Sequence, residues 1–251
     1  MKRLLILFLI ILNINIFAES DNCSAKVPSP ETLIKVLDYS SKVIDRLNQE
    51  KIEVAFLGRK GSEEQYGVDY THAGFVLKIN NEWKIVHLLN QCDSTVPELY
   101  ETGIAQFFTD VVSNDTLILI PSKKIADKIM RSYKAGEFPK FLGDKYNLVS
   151  NPWRNEYQNC NHFVLQAFTN AYMDGKFNTR EETTKWYDSK GFKPYDLKIN
   201  ALKKSVMSLV SDTIILEPEQ RSKHVQVITV RSLYDFIKKM DPKAKVIEVK
   251  E

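Results

Sequence analysis

The amino-acid sequence predicts an α+β fold with a mainly antiparallel sheet packed against helices. Segments with helical and strand periodicity are mixed along the chain and do not follow a regular β-α-β alternation. Two strand-like segments flank Asn80 and Asn81, a pair that is typical of the two-residue turn of a β-hairpin. A hairpin without regular alternation favours antiparallel over parallel strands.

The first 18 residues have the pattern of a secretory signal peptide. Lys2 and Arg3 precede an apolar run from Leu4 to Leu12, and Ala18 is a small residue suited to cleavage. The alternative is an uncleaved anchor, but the apolar core is shorter than the roughly 20 residues that a spanning helix needs. We therefore expect an exported protein, periplasmic or secreted, in which residues 19–251 form a single domain. After cleavage it should not be an integral membrane protein.

The composition argues against a nucleic-acid partner. The chain has 35 basic and 32 acidic residues, a formal net charge of +3, and no run of basic residues stands out. No cofactor is expected.

The first helix and the hairpin have clear boundaries. Ser29, Pro30 and Glu31 supply a cap, a first-turn proline and a first-turn acid for a helix whose apolar stripe extends to Leu47. A strand is predicted over 51–58, a polar loop over 58–70, and hairpin strands from about 71 to 79 and from 82 to 89.

The rest of the chain continues the mixed pattern. The predicted helices are 99–112, a helix capped by Ser122 that extends to about 133, 160–173, a helix within 180–191, and a last one from Ser232 as cap to 240. The predicted strands are 116–121, 213–218 and 224–230, and residues 135–147 are expected to be irregular. Whether residues 100–150 form a lid over a cleft is left open.

Three cysteines are present, Cys23, Cys92 and Cys160. An exported chain meets oxidising conditions, so an odd number of cysteines suggests one disulfide and one free thiol. Cys23 and Cys92 are the expected pair, which would tie the N-terminal part of the mature chain to the rest of the fold. The alternative is three buried thiols.

Cys160 occupies a position where a thiol can be activated. It lies in the first turn of a predicted helix, just before the apolar stripe that begins at Phe163. The unpaired N–H groups and the positive end of the helix dipole favour a thiolate there. Cys160 is thus either a small packing residue or a nucleophile.

Two of the four histidines fall on one face of the hairpin. If Asn80 and Asn81 form the turn, Gly74 lies opposite His87, and His72 shares that face as a diagonal neighbour about 7 Å away. One histidine could take the thiol proton of Cys160 while the other orients it. Zinc bound by His72, His87 and Cys160 is a weaker alternative, because no short ligand pair supports it.

The segments THAGF (71–75), IVHLL (85–89) and QNCNHF (158–163) occur in the order found in the permuted papain-like superfamily. That superfamily includes the lecithin:retinol acyltransferase-like enzymes and relatives of the NlpC/P60 peptidases. A nearly full-length resemblance is to an exported bacterial family, domain of unknown function 2145. It is carried by YGVDYTHAGFVLK, WKIVHLLNQC, TGIAQFF, YNLVSNPWRNEYQN and VITVRSLYDFI.

The superfamily resemblance implies a permuted papain-like, NlpC/P60-like fold and a role for each motif residue. Cys160 matches the nucleophile, His72 the general base and His87 the third polar residue. The backbone N–H of Cys160, with Gln158 or Tyr157, is the candidate oxyanion site.

Arg59, His162 and His224 also have side chains that can take part in binding or chemistry. Arg59 is a candidate for binding a substrate carboxylate, although a solvated arginine is the simpler interpretation. His162 and His224 are interpreted as packing or surface residues.

The expected function is an exported thiol hydrolase, an amidase or peptidase that acts through an acyl-enzyme, with peptidoglycan peptides as one substrate class. Two alternatives stay open: a lipid acyltransferase or thioesterase, and a non-catalytic exported binding protein on the same fold.

Overall fold

The computed structural model describes residues 28–65, 67–91, 94–109, 115–197, 199, 213–222 and 224–251. The predicted signal peptide and the expected Cys23–Cys92 disulfide lie outside these residues.

Seven helices and eight strands are found in this described part of the chain. The helices are α1 (Pro30–Gln49), α2 (Ile104–Phe107), α3 (Lys123–Lys134), α4 (Cys160–Tyr172), α5 (Arg180–Ser189), α6 (Pro218–Ser222) and α7 (Val230–Met240). The strands are β1 (Val54–Gln65), β2 (Val68–Ile79), β3 (Glu82–Asn90), β4 (Pro97–Gly103), β5 (Thr116–Ile120), β6 (Tyr195–Leu197), β7 (Val225–Val227) and β8 (Lys245–Val249). A 3-10 turn spans Phe138–Phe141.

The main sheet has six strands in the order β4-β3-β2-β1-β5-β8, and every neighbouring pair is antiparallel. Strands β6 and β7 form a separate antiparallel ribbon. The predicted α+β fold with a mainly antiparallel sheet is therefore confirmed. Among the described residues, no helix combines the length and the apolar character needed to cross a membrane.

Helices cover both faces of the main sheet. On one face, the side chains of Phe75 and Val86 share a core with Phe163 and Phe168 of α4, together with side chains of α3, α5 and α7. On the other face, side chains such as Val76 and Ile85 share a core with α1 and α2. Because both faces are buried, alternate residues of β2 and β3 belong to different cores.

The hairpin formed by β2 and β3 has the predicted turn and register. Asn80 and Asn81 have φ angles of 50° and 66°, as the left-handed residues of a type I′ turn require. Ile79 pairs with Glu82 and Phe75 pairs with Val86. Asparagine tolerates this conformation better than most residues, which explains how the turn can be read from the sequence.

The predicted loop over 58–70 is wrong, because most of it forms strand. β1 continues to Gln65 and β2 begins at Val68, and the two strands pair through two irregularities in register. The strand preferences of individual residues are small and depend on context. The hydrogen-bonded pairing of β1 with β2 therefore outweighs the polar composition of this segment.

The predicted helix over 99–112 is also wrong. Residues 97–103 form β4 at the edge of the sheet, and of the described residues that follow, up to 109, Ile104–Phe107 are helical. Residues 110–112 of the predicted helix lie outside the described part of the chain. The predicted strand over 213–218 is absent as well. Ile214 and Leu216 instead pack beneath the β6–β7 ribbon as irregular chain.

The three predicted helix caps differ in whether the structure shows the expected capping hydrogen bond. Ser29 accepts a hydrogen bond from the Thr32 N–H, as predicted for α1. Ser122 precedes α3 but makes no side-chain cap bond. In α7 the cap is Thr229, and Ser232 bonds back to it at the third helical position, so the predicted cap residue belongs to a capping box.

Candidate functional site

His72 and His87 are in direct contact. Nε2 of His72 lies 2.9 Å from Nδ1 of His87, and Nε2 of His87 lies 3.1 Å from Oγ1 of Thr102. The sequence prediction that both histidines share one face of the hairpin is therefore confirmed. The three side chains form a hydrogen-bonded chain that ends at β4.

Both histidines are buried and neutral. His72 is fully inaccessible and His87 is 3% exposed. Burial, with a smaller contribution from the charge of Arg59, holds the pKa of His72 well below its usual value. The same two causes lower the pKa of His87 to about 3. Neither imidazole carries a proton on both nitrogens near neutral pH.

Arg59 belongs to the same cluster and does not face solvent. It lies on β1 directly opposite His72 and is 3% exposed. Its Nη1 donates a hydrogen bond to the carbonyl oxygen of Phe107, and its guanidinium lies 4.9 Å from the centre of the Phe107 ring. The interpretation of Arg59 as a solvated loop residue is therefore wrong, whereas its binding of a substrate carboxylate stays a prediction.

The histidine cluster, defined as His72, His87, Thr102, Arg59 and Phe107, lies on the α1 face of the sheet. The rings of His72 and His87 lie 5.3 Å and 5.1 Å from the ring of Phe107, which belongs to the core under α1 and α2.

Cys160 lies on the other face of the sheet. Ala73 and Phe75 of β2 point into the core that α4 covers. By strand alternation, the His72 side chain points away from α4. The predicted triad of Cys160, His72 and His87 is therefore not assembled in this structure: two members meet, and the third is separated from them by the sheet. The same separation disfavours a zinc ion shared by the three side chains.

Cys160 is the first residue of α4. The preceding Asn159 caps the helix, because its side chain accepts a hydrogen bond from the His162 N–H at 2.8 Å. Sγ of Cys160 lies 3.8 Å from the carbonyl oxygen of Thr71, a group that can accept a hydrogen bond from a thiol. The neighbouring Asn161 amide donates to that same carbonyl and to the carbonyl of Ile228.

A small apolar pocket opens beside Cys160, here called the Cys160 pocket. Its volume is about 60 Å³, which is room for roughly four water-sized groups. It is lined by Val68, Thr71, Leu148, Val149, Asn159, Cys160, Asn161, Leu197, Val227, Ile228 and Thr229. The arrangement can accept an apolar group of a ligand next to the thiol.

The side chain of Gln158 is occupied by structural hydrogen bonds, so its predicted role as an oxyanion donor is corrected. It is fully buried. Its oxygen accepts from the Gly143 N–H, and its amide nitrogen donates to the carbonyl of Phe141 and to Gln166. Tyr157 is half-buried near Lys145 and does not line the Cys160 pocket.

Arg180 organises the approach to α4 and was not found by sequence reasoning. It is 8% exposed, and it donates to the carbonyl oxygens of Asn155 and Tyr157 and to Gln166. Burial lowers the pKa of its guanidinium. In the sequence, Arg180 is one charged residue among several polar residues of a predicted helix. Nothing there indicates that it binds the chain that leads into α4.

The two remaining histidines lie where packing or surface positions were expected. His162 is buried, with Nε2 3.2 Å from the Tyr187 hydroxyl, and His224 is exposed. Within the described ranges, no group of three or more His, Cys, Asp and Glu side chains is arranged to hold a metal ion.

The comparisons with known proteins concern the whole domain. Among curated proteins, none matches the chain. The crystal structure of metalloprotein yiiX from Escherichia coli O157:H7 (DUF1105) is similar over 80% of this chain and 97% of that chain. The two are 13% identical, with a TM-score of 0.49. The family model for uncharacterized proteins conserved in bacteria (DUF2145) matches residues 46–237, which include the histidine hairpin and α4. This match spans most of the sequence, so the chain belongs to the DUF2145 family.

Proposed function

We propose that the chain is an exported binding protein, periplasmic or secreted, that holds an apolar group of its ligand in the Cys160 pocket. The observation that carries this proposal is the pocket itself. Six of its lining residues, Val68, Leu148, Val149, Leu197, Val227 and Ile228, are aliphatic. The pattern of residues 1–18 supports export, and the order of the three motifs supports a permuted papain-like scaffold.

The positions of the histidines favour binding over turnover. A catalytic thiol needs a general base within hydrogen-bonding reach of the nucleophile or of a connecting water. His72 and His87 bond to each other and pack on Phe107, on the face of the sheet away from α4. They stabilise the hairpin in this proposal and take no part in chemistry at Cys160.

Protection of Cys160 tests the binding function directly. The purified protein is treated with iodoacetamide at several concentrations of 1-octanol, and the Cys160 peptide is quantified by mass spectrometry. We expect octanol to slow the labelling in a saturable manner, because the end of its chain occupies the pocket beside Sγ. Cys160 in urea-unfolded protein is the control and should not be protected. If the labelling rate of the folded protein does not depend on the octanol concentration, the proposed binding function is wrong.

A second candidate function is acyl transfer to Cys160, followed by hydrolysis or by transfer to an amine. One observation favours it: Cys160 is the first residue of α4 and lines the pocket, so a bound carbonyl would meet both the thiol and the helix N-terminus. In the first step, the thiol sulfur bonds to the carbonyl carbon of an ester or amide. The alcohol or amine leaves with the thiol proton, and a thioester is formed. Peptidoglycan peptides and lipid esters are the two substrate classes in this candidate function.

A mass measurement separates the two functions. The protein is incubated with p-nitrophenyl octanoate, and the mass of the Cys160 peptide is determined over time. The binding function predicts an unmodified Cys160 at times when octanol already protects it. An octanoyl group on Cys160, with nitrophenol release that is lost in Cys160→Ser, would instead establish the acyl-transfer function.

A further inference from the structure

A larger groove lies next to the Cys160 pocket. Its volume is about 620 Å³, and its lining residues are Gly191, Lys193, Pro194, Tyr195, Thr229, Arg231, Ser232, Asp235, Phe236 and Lys239. Thr229 lines both cavities, and β6 contributes Leu197 to the pocket and Tyr195 to the groove. The two cavities are therefore neighbours that share one lining residue, and only the larger one is lined by charged side chains. We call the larger one the basic groove.

The basic groove has more positively than negatively charged side chains. Arg231 is paired with Asp69, and both nitrogens of its fork contact that carboxylate. Asp235 is the single acid among the lining residues, whereas Lys193 and Lys239 are both present. With Asp69 counted, three cations face two carboxylates, which leaves one net positive charge.

The two lysines are not equivalent. Nζ of Lys239 donates to the carbonyl oxygen of Lys190 at 2.6 Å and to that of Gly191 at 3.3 Å, and these two hydrogen bonds hold its ammonium group in place. Lys193 is exposed and forms no ion pair with any other residue that the structure describes. Lys193 is thus available to a ligand, and Lys239 supplies a fixed charge beside it.

From this arrangement we infer the class of ligand: an anionic amphiphile with a carboxylate at one end and an aliphatic chain at the other. The chain end occupies the Cys160 pocket, the middle lies along Tyr195 and Phe236, and the carboxylate lies against Lys193 and Lys239. This inference rests on the proposed binding function and adds the chemistry of the ligand. The complementarity is physical, because an ammonium group prefers an anion and an aliphatic wall prefers methylenes.

The experiment compares two probes of equal chain length, octanoate and 1-octanol, in the same Cys160 protection assay at low ionic strength. We expect octanoate to protect with a dissociation constant at least fivefold lower than that of octanol. Lys193→Glu should remove this advantage. Lys124→Glu, an exposed lysine on α3 away from both cavities, is the matched control and should change neither probe.

The outcomes separate the inference from the function on which it rests. Equal binding of octanoate and octanol, or an octanoate advantage that survives Lys193→Glu, overturns the assignment of an anionic ligand while the pocket function stands. Failure of both probes to protect Cys160 overturns both. Weaker octanol binding in Lys193→Glu would show that the substitution disturbs the pocket, and Lys193→Gln then replaces it as the deciding variant.

Discussion

Nε2 of His72 and Nδ1 of His87 share a hydrogen bond of 2.9 Å inside the fold, on the face of the sheet away from α4. Two imidazoles at this distance cannot both be doubly protonated, and the nearby Arg59 adds a third source of positive charge. Burial and the charge of Arg59 lower the pKa of both rings, so protonation of either ring is disfavoured in the folded protein. The pair therefore couples the stability of the hairpin to pH.

The unfolding free energy should fall as the pH drops below about 6.5. In the unfolded chain, His87 takes up a proton near its usual pKa of 6.5, whereas in the folded protein it stays neutral until about pH 3. The unfolded state then binds more protons, and the expected loss from this residue between pH 7 and 5 is about 2 kcal/mol. Urea denaturation at the two pH values measures it.

A substitution of His87 measures its share of this acid sensitivity. His87→Gln should reduce the difference in unfolding free energy between pH 7 and 5 by about 2 kcal/mol, although the variant is less stable at both. His224→Gln, an exposed histidine, is the control and should keep the full difference. An unchanged pH dependence in His87→Gln would show that His87 is not the buried neutral group described here.

Gly74→Ala should destabilise the hairpin. A methyl group at this position would lie 2.6 Å from Cγ2 of Ile85 and 3.0 Å from Cβ of His87. Both neighbours are buried, so the expected cost is about 1–3 kcal/mol. Gly103→Ala is the matched control, because a methyl group there would meet no atom within 4 Å. Thermal denaturation should show a clear loss for the first variant and little change for the second, and equal effects would contradict the packing.

Gln158→Met should reduce stability through unsatisfied polar groups. The substitution keeps the length of the side chain, but it removes the partners of the Gly143 N–H and the Phe141 carbonyl. Leaving such buried groups without a partner costs about 1–3 kcal/mol each. Gln106→Met, at an exposed position, is the control. A stable Gln158→Met protein would show that this amide is free for another role.

The hairpin could be predicted because its information is local. Asn80 and Asn81 accept the left-handed turn, and the turn then determines which residues lie opposite each other. The contact between His72 and His87 follows from that register alone.

The relation between the histidines and Cys160 could not be obtained in the same way. Alternation along β2 says that His72 and Phe75 lie on different faces, but it does not say which face receives α4. Both faces of β2 are buried against helices. Neither face is polar in the sequence, so the sequence does not indicate which face packs against α4.

The error at residues 99–112 has a similar cause. The apolar residues Ile104, Phe107, Phe108 and Val111 of this segment fit the i, i+3, i+4, i+7 spacing of a helix. In the fold, residues 97–103 pair with β3, and this long-range pairing overrides the local pattern.

The rate of alkylation of Cys160 in the wild type and in His72→Gln, measured across pH, tests the central claim most directly. Iodoacetamide labelling is followed on the Cys160 peptide, and circular dichroism confirms that both proteins are folded at each pH. Because the sheet separates the two side chains, we predict the same rate and the same pH profile for both proteins. A reactive thiol at low pH in the wild type that is lost in His72→Gln would contradict the account. It would establish the histidine as the base of a thiol enzyme.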